Sequence, residues 1–183
     1  MRVYPLRKNM KISVIGYSGS GKSTLAKELS EYYDIKALFL DTVHWLPGWK
    51  ERPREDEIRI VSDFLNTNDS WVIDGNYSKV CYERRLCESD IIIYMAFNRF
   101  ASLNRIIKRY KENKGRSRFS MTDGCVEKID RGFLSWVLYK GRSKKYRDLY
   151  KRVLQDHGNK VIVIKNQKQL DAYRQRTKQK VQL

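Results

Sequence analysis

Cysteine and histidine are scarce in this 183-residue chain, and it has no long apolar run. Its three cysteines include no Cys-x-x-Cys pair, so we expect reduced thiols and no cysteine-based metal site. No apolar stretch approaches the roughly 20 residues that span a bilayer. The charged residues 1–8 are not followed by the apolar segment of a secretory signal. These absences predict a cytoplasmic protein without a membrane span, built as one domain over residues 1–183.

Acidic residues are too few to balance the basic ones. The chain has 38 Lys and Arg against 21 Asp and Glu, which gives a net charge of +17. The basic residues are densest at 105–118, 140–152 and 174–180. A nucleotide-binding cleft needs some of them, a solvated surface accounts for many, and the excess attracts nucleic acid nonspecifically. No helix-turn-helix, zinc-finger or aromatic RNA-binding signature makes that attraction specific.

The segment 16–23, GYSGSGKS, fits the phosphate-binding pattern G-x-x-x-x-G-K-[ST]. Its glycines let backbone N–H groups surround an anion, Lys22 can reach the β- and γ-phosphates, and the Ser23 hydroxyl can ligate Mg²⁺. An apolar strand at 11–15 and a helix at 24–33 flank the motif as a P-loop requires, which disfavours a Gly/Ser turn without a ligand. The predicted ATP-binding residues are Gly16, Ser18, Gly19, Ser20, Gly21, Lys22, Ser23 and Thr24.

Apolar segments and helical patterns alternate along the chain. After the strand at 11–15, further strands are predicted at 37–40, 71–73, 90–95 and 160–164. Helices are predicted at 24–33, from Pro53, at 82–86, at about 99–111, at about 126–154 with an interruption near Gly141, and from Gln167. The other predicted segments are a turn at 44–49, a loop or flap at 113–123 and a frayed tail beyond about Lys178. This order predicts an α/β protein with the three-layer α/β/α P-loop fold and a parallel five-stranded sheet.

Ligands bind such sheets at the carboxyl ends of the strands, where two acidic residues lie. Asp74 ends the strand predicted beside the P-loop strand, so it is the candidate to hold a Mg²⁺-bound water while Ser23 ligates the metal. The alternative for Asp74 is a solvated turn. Asp41 is a candidate to orient an acceptor hydroxyl or accept its proton, and the alternative is a helix or turn cap.

Several other side chains are candidates to bind the acceptor. His44 can also be a surface or supporting histidine, and Trp45 with Trp49 can form an acceptor wall or pack the hinge at Pro47. The predicted substrate-binding residues are Asp41, His44, Trp45, Asn76, Tyr77 and Arg131.

The layout resembles the nucleoside-monophosphate-kinase branch of P-loop proteins. Asp74-Gly75 closes a strand as in adenylate kinases, and Arg105 and Arg109 follow a later strand in a similar way. The resemblance implies that Arg105 lies near the adenine of ATP and that Arg109 meets the transferring phosphoryl group, and the alternative is an exposed basic helix face.

The same resemblance implies an acceptor-binding segment at about 41–70 and a lid at about 111–131. Arg116, Arg118 and Arg131 are candidates to enter the site from the lid, without a basis for choosing among them. The sequence also departs from adenylate kinases, because 76–79 lacks their phosphate-gripping arginine and 41–45 replaces their Leu-Arg segment. An acidic residue at Asp41 looks more like shikimate or gluconate kinases, where it handles an acceptor hydroxyl.

Over nearly the whole chain, several segments resemble the adenylate-kinase-related DNA topology modulation proteins of bacteria. These segments are 16–23, 40–45, 71–77, 83–86 and 124–136. The family name implies a role in DNA supercoiling, which no residue here encodes.

The sequence thus predicts an ATP-binding, Mg²⁺-dependent phosphotransferase that acts on a small nucleotide or a hydroxyl-bearing metabolite. Two alternatives remain open: a DNA-binding regulator of DNA topology that uses ATP as a switch, and a nucleotide-binding ATPase without an acceptor. A DNA-binding regulator would show ATP-dependent DNA affinity, whereas the high charge alone would give only nonspecific attraction.

Overall fold

A computed structural model describes the backbone of residues 9–179 and the side chains through residue 177. Residues 1–8 and the tail beyond about Lys178, for which the sequence predicts fraying, lie outside the residues whose side chains are described. Seven strands are described: β1 (Lys11–Gly16), β2 (Lys36–Phe39), β3 (Trp45–Leu46), β4 (Lys50–Glu51), β5 (Trp71–Asp74), β6 (Ile91–Met95) and β7 (Val161–Ile164). Five of them form a parallel sheet in the order β2-β5-β1-β6-β7, and β3 and β4 pair as a separate hairpin.

Helices follow most of the strands and connect them. They are α1 (Lys22–Tyr33), α2 (Leu40–His44), α3 (Arg54–Thr67), α4 (Tyr82–Glu88), α5 (Arg99–Asn113), α6 (Arg131–Leu138), α7 (Lys144–His157) and α8 (Gln167–Gln179), with a 3₁₀ turn at Lys140–Arg142. No helix in residues 9–179 is both long and apolar enough to cross a membrane.

Strand side chains alternate between two covered faces of the sheet. On one face, Ile12 and Val14 of β1 pack with Leu25 and Leu29 of α1 and with Leu170 of α8. On the opposite face, α4 and α7 cover one part of the sheet and α3 covers another. Because both faces are buried, the strands are almost wholly apolar, and the predicted three-layer α/β/α P-loop kinase-like fold is confirmed.

Sheet register brings the ligand-binding ends of three strands together. Val14 of β1 is aligned with Asp74 at the end of β5, and Gly16 is aligned with Met95 at the end of β6. The P-loop therefore begins at the edge of the sheet where β5 ends, as the sequence order predicts.

Two predicted elements are wrong in detail. The long helix at 126–154 begins only at Arg131, because the Asp130 side chain accepts a hydrogen bond from the Phe133 N–H at 2.8 Å and caps α6. It breaks near Gly141, as predicted, where the chain lies so close to Trp136 that a Cβ would come within 2.9 Å of its carbonyl oxygen. The second strand ends at Phe39, and the residues that follow form the one-turn helix α2.

Candidate functional site

The P-loop connects β1 to α1 through glycines that no other residue can replace without strain. Gly16 has φ +137°, and a Cβ there would lie 2.4 Å from the Met95 carbonyl oxygen. Gly21 has φ +93° and caps the start of α1. The indole Nε1 of Trp136 donates to Ser18 Oγ at 3.2 Å, while Ser20 Oγ is buried and has no hydrogen-bond partner among the described residues.

Lys22 is the electrostatic centre of the site. Its Nζ donates to the Tyr17 carbonyl at 3.1 Å. Burial lowers the pKa of Lys22, the nearby carboxylates Asp74 and Asp41 oppose that shift, and the guanidinium groups of Arg118 and Arg109 lower the pKa further. Two acids and two arginines from separate parts of the chain therefore act on one P-loop lysine.

Ser23 and Asp74, the predicted metal-site residues, form a hydrogen-bonded pair at the P-loop. The Ser23 hydroxyl donates to Asp74 Oδ2 at 2.5 Å, while Asp74 Oδ1 is buried and accepts no hydrogen bond within the described residues. Burial raises the pKa of Asp74 to about 6, although Lys22 acts to lower it. Mg²⁺ prefers oxygen ligands such as hydroxyls and carboxylates, and Asp74 Oδ1 is a buried oxygen that lacks a partner among the described residues. Ser23 and Asp74 therefore fit that ion. Thr24, the next predicted ATP-binding residue, is exposed on α1.

The predicted acceptor residue Asn76 lies against the P-loop instead of on the acceptor side. Its Nδ2 donates to the Gly16 carbonyl at 2.8 Å, and its Oδ1 accepts from the Gly16 N–H at 3.0 Å. Both ends of the amide are thus engaged, and the side chain joins the end of β5 to the start of the P-loop.

Arg85 supports the same region and is not among the predicted site residues. It is fully buried on α4, and its guanidinium donates to the carbonyls of Gly75, Asn76, Tyr77 and Val80 at 3.0–3.3 Å. Burial lowers its pKa to about 10. The 83–86 segment is part of the sequence resemblance described above, but no pattern in it indicates that one of its two arginines is buried.

Asp41 joins the acceptor side to the rest of the site. Its Oδ1 accepts from the Tyr77 hydroxyl at 2.8 Å, and its Oδ2 lies 3.4 Å from Arg118 Nη2. Burial and the nearby Asp41 carboxylate raise the pKa of Tyr77, so this hydroxyl stays protonated and donates. Asp41 is therefore already engaged as an acceptor of a hydroxyl hydrogen bond.

An aromatic group adjoins Asp41. The His44 ring lies 4.5 Å from Trp45 and 4.9 Å from Tyr77 by ring centroids, and Trp45 lies 5.4 Å from Trp49. His44 Nδ1 is 2.8 Å from an oxygen of the buried Glu57, which fixes the ring. Three of the predicted acceptor residues, His44, Trp45 and Tyr77, thus lie together.

The two α5 arginines have different surroundings. Arg105 Nη1 donates to the Ser20 carbonyl at 2.5 Å, and its guanidinium lies 4.0 Å above the Phe97 ring, directly beside the P-loop. Arg109 Nη2 lies 2.6 Å from Glu127, which the sequence prediction omits. Arg131 is exposed at the start of α6 and makes no hydrogen bond or ion pair with Asp41, His44, Trp45 or Tyr77 within the described residues.

The 114–130 segment, which contains no helix, folds over the acceptor side. The Thr122 hydroxyl donates to the Trp45 carbonyl and to the Thr42 carbonyl, and Cys125 Sγ donates to the Leu46 carbonyl at 3.3 Å. Of the three candidate arginines, Arg118 is the one that this arrangement brings beside Asp41.

The sheet order and the P-loop define a three-layer α/β/α P-loop kinase-like fold. No protein-family model and no curated protein matches the chain. A solved structure of an uncharacterized protein from Eubacterium ventriosum ATCC 27560 matches with a TM-score of 0.51 and 16% identity, over 96% of this chain and 99% of that chain. A deoxyadenosine kinase from M. mycoides with bound dATP matches with a TM-score of 0.48 and 19% identity, over 85% of this chain and 91% of that chain. At 16% identity the match to the Eubacterium ventriosum protein supports the shared fold alone.

Proposed function

We propose that the protein is an ATP- and Mg²⁺-dependent phosphotransferase that acts on a hydroxyl of a small nucleotide or other hydroxyl-bearing metabolite. One observation carries the proposal: the Ser23 hydroxyl of the P-loop donates to Asp74, whose Oδ1 is buried without a partner among the described residues, and a second acid, Asp41, follows the neighbouring strand β2. A simple phosphate-binding loop needs neither acid, whereas a phosphotransferase needs a metal site and a group that orients the acceptor.

The donor phosphates bind to the P-loop amides at the positive end of α1. Lys22 exchanges its bond to the Tyr17 carbonyl for the β- and γ-phosphates. Ser23 and Asp74 would hold Mg²⁺, which would supply positive charge to neutralise the phosphates. Arg105 lies on the adenine side of the loop, and its guanidinium plane suits stacking.

In the structure the Tyr77 hydroxyl donates to Asp41, and the acceptor hydroxyl replaces it there. Asp41 orients that hydroxyl and accepts its proton, and Arg109 and Arg118 supply positive charge for the transferring group. In this proposal residues 41–70 bind the acceptor and residues 111–131 act as a lid on a single domain. Membership of the DNA topology modulation family rests on the sequence resemblance alone.

A screen with γ-labelled ATP tests the proposal. Nucleosides, nucleoside monophosphates and small alcohols are offered in parallel, with Mg²⁺, and label in the acceptor is measured against hydrolysis of ATP by water. Transfer to at least one acceptor is expected, and Lys22→Ala should abolish it. Slow hydrolysis that no acceptor accelerates would favour the ATPase alternative, and turnover retained by Lys22→Ala would remove the P-loop from the mechanism.

A second candidate function, ATP-switched binding to DNA, is favoured by the exposed basic surface of α7. Its exposed basic residues are Lys144, Lys145, Arg147, Lys151 and Arg152. DNA affinity measured across salt concentrations, with and without ATP, tests this function. A steep salt dependence that ATP does not change would indicate only nonspecific attraction.

A further inference from the structure

Glu127 is a buried carboxylate shared by two arginines. Its side chain is 4% exposed. Its Oε1 lies 2.6 Å from Arg109 Nη2 and accepts from Arg109 Nε at 2.9 Å, and its Oε2 lies 3.1 Å from Arg118 Nε. One oxygen therefore pairs with Arg109 on α5, and the other pairs with Arg118 in the 114–130 segment.

The backbone of Glu127 also closes the base of the 114–130 segment. Its N–H donates to the Arg116 carbonyl at 3.1 Å, and the residue forms an isolated bridge with Lys114. The carboxylate is thus held where the outgoing and returning chains meet, at a fixed distance from α5.

Two guanidinium groups cannot be kept adjacent in a half-buried place without a counter-charge. Burial lowers the pKa of Arg109, the Arg118 guanidinium lowers it further, and the Glu127 carboxylate acts to raise it. The ion pairs use the Nε and Nη2 atoms. Arg118 Nε lies 3.1 Å from Glu127 Oε2 but makes no hydrogen bond with the described residues, which also offer no hydrogen-bond partner to Nη1 of either arginine. The arrangement leaves one N–H edge of each arginine available to a further anion.

We propose that Glu127 is a positioning residue that holds Arg109 and Arg118 side by side as a two-arginine receptor for the transferring phosphoryl group. The inference rests on the proposed function, because it assumes that Lys22 and Asp74 bind the donor nucleotide next to these arginines. Glu127 itself does not contact the nucleotide. It acts through the orientation of the two guanidinium groups.

The test measures binding of ADP with Mg²⁺, alone and with aluminium fluoride, which mimics a phosphoryl group in transfer and requires no knowledge of the acceptor. Wild-type protein should bind ADP more tightly with aluminium fluoride. Glu127→Gln, which keeps the size of the side chain, should bind ADP alone within about twofold of wild type and lose about tenfold of the gain. Glu127→Asp keeps the charge and should retain more of the gain than Glu127→Gln.

A double-mutant cycle separates positioning from a general structural role. In an Arg118→Met background the Glu127→Gln change should have a clearly smaller further effect than in wild type, because one of the two arginines through which Glu127 acts is gone. Glu28→Gln is the matched control: Glu28 pairs with Arg174 through two contacts of 2.7 and 2.8 Å, and its loss should leave the gain unchanged.

Each outcome decides between distinct failures. If wild-type protein does not bind ADP, the proposed function fails and this inference fails with it. If wild type binds ADP but gains nothing from aluminium fluoride, the two-arginine receptor is overturned while nucleotide binding stands. If Glu127→Gln keeps the gain or increases it, or weakens both complexes equally, Glu127 does not position the arginines.

Discussion

The proposed donor and acceptor halves of the site are built in opposite ways. The donor half is built mainly from the P-loop segment, to which the end of β5 adds Asp74, and it leaves polar atoms without partners, namely Ser20 Oγ and Asp74 Oδ1 among the described residues. The acceptor half is assembled from distant segments, and both oxygens of Asp41 and of Glu127 already have partners. A donor ligand therefore satisfies vacant groups, whereas an acceptor must displace contacts that the protein makes with itself.

The comparison predicts the largest loss where the donor half is disabled. Asp74→Asn preserves the shape of the side chain but removes the charge that a metal-bound water needs. We expect phosphoryl transfer to fall on the order of 10³-fold, with loss of the Mg²⁺ dependence of ATP binding. Single-turnover assays and ATP titrations with and without Mg²⁺ measure the two effects. Unchanged Mg²⁺ dependence would remove Asp74 from the metal site.

The raised pKa of Asp74 adds a pH dependence to the same variant. Folding raises this pKa from 3.8 to about 6, so the native state binds a proton that the unfolded chain releases between these values. This contribution to stability is fully present below about pH 4 and is lost as pH rises to about 6, by an amount up to about 3 kcal/mol. The difference in Tm between Asp74→Asn and wild type, measured without nucleotide, should therefore grow in favour of the variant from pH 4 to pH 7. A constant difference would contradict the buried, unpaired carboxylate.

Asp41→Asn tests whether the two halves are separable. The variant should lose on the order of 10² in phosphoryl transfer, because the acceptor hydroxyl loses its base, while ADP affinity stays within about twofold of wild type. Lys22→Ala is the contrasting variant, since it should lose nucleotide binding itself. If Asp41→Asn weakens ADP binding as much as transfer, Asp41 belongs to the donor half and the comparison breaks down.

Sequence patterns predict the donor half well because its parts are local. The P-loop is continuous, the apolar strands are recognisable, and the parallel order brings Asp74 beside Ser23. The strands agree with the structure to within about one residue at most ends, whereas the helix at 126–154 is wrong because the cap at Asp130 is a short-range feature that helical spacing does not encode.

The acceptor half could be predicted only in part because tertiary contacts decide it. Arg116, Arg118 and Arg131 look alike in sequence, and only the path of the 114–130 segment selects Arg118. Glu127 gives no sequence signal, since its importance comes from contacts with Arg109 and Arg118, which lie 18 and 9 residues before it in the chain. Asn76 stays a predicted acceptor residue. Its amide bonds to Gly16, a contact that a position at the end of a strand does not indicate in the sequence.

Arg85 of α4 bonds to the 75–80 loop that joins the two proposed halves, so its loss should damage both. Arg85→Met leaves the carbonyls of the 75–80 loop without their donors and should lower the free energy of unfolding by about 2 kcal/mol. The neighbouring Arg84 is the control, because it is partly exposed and pairs with Glu88 at 2.6 Å. Arg84→Met should cost less than about 1 kcal/mol in the same urea titration. Equal losses in the two variants would mean that the buried contacts of Arg85 carry no special weight.

Thr122→Val probes the smallest of these effects, the hold of the 114–130 segment on the acceptor side. The change removes the hydroxyl that donates to the Trp45 and Thr42 carbonyls and keeps the branched shape of the side chain. A loss of about 1 kcal/mol in docking should speed tryptic cleavage at the exposed Lys114 and Arg116 by about fivefold, because the segment opens more often.

Thr67→Val is the control, since Thr67 donates only to Asp63 of its own helix at 2.8 Å. ADP affinity should stay at the wild-type value in both variants, because the donor half does not depend on this contact. A parallel rise in cleavage and in ADP dissociation would show that the 114–130 segment closes over both halves, and that the separation drawn between them is too sharp.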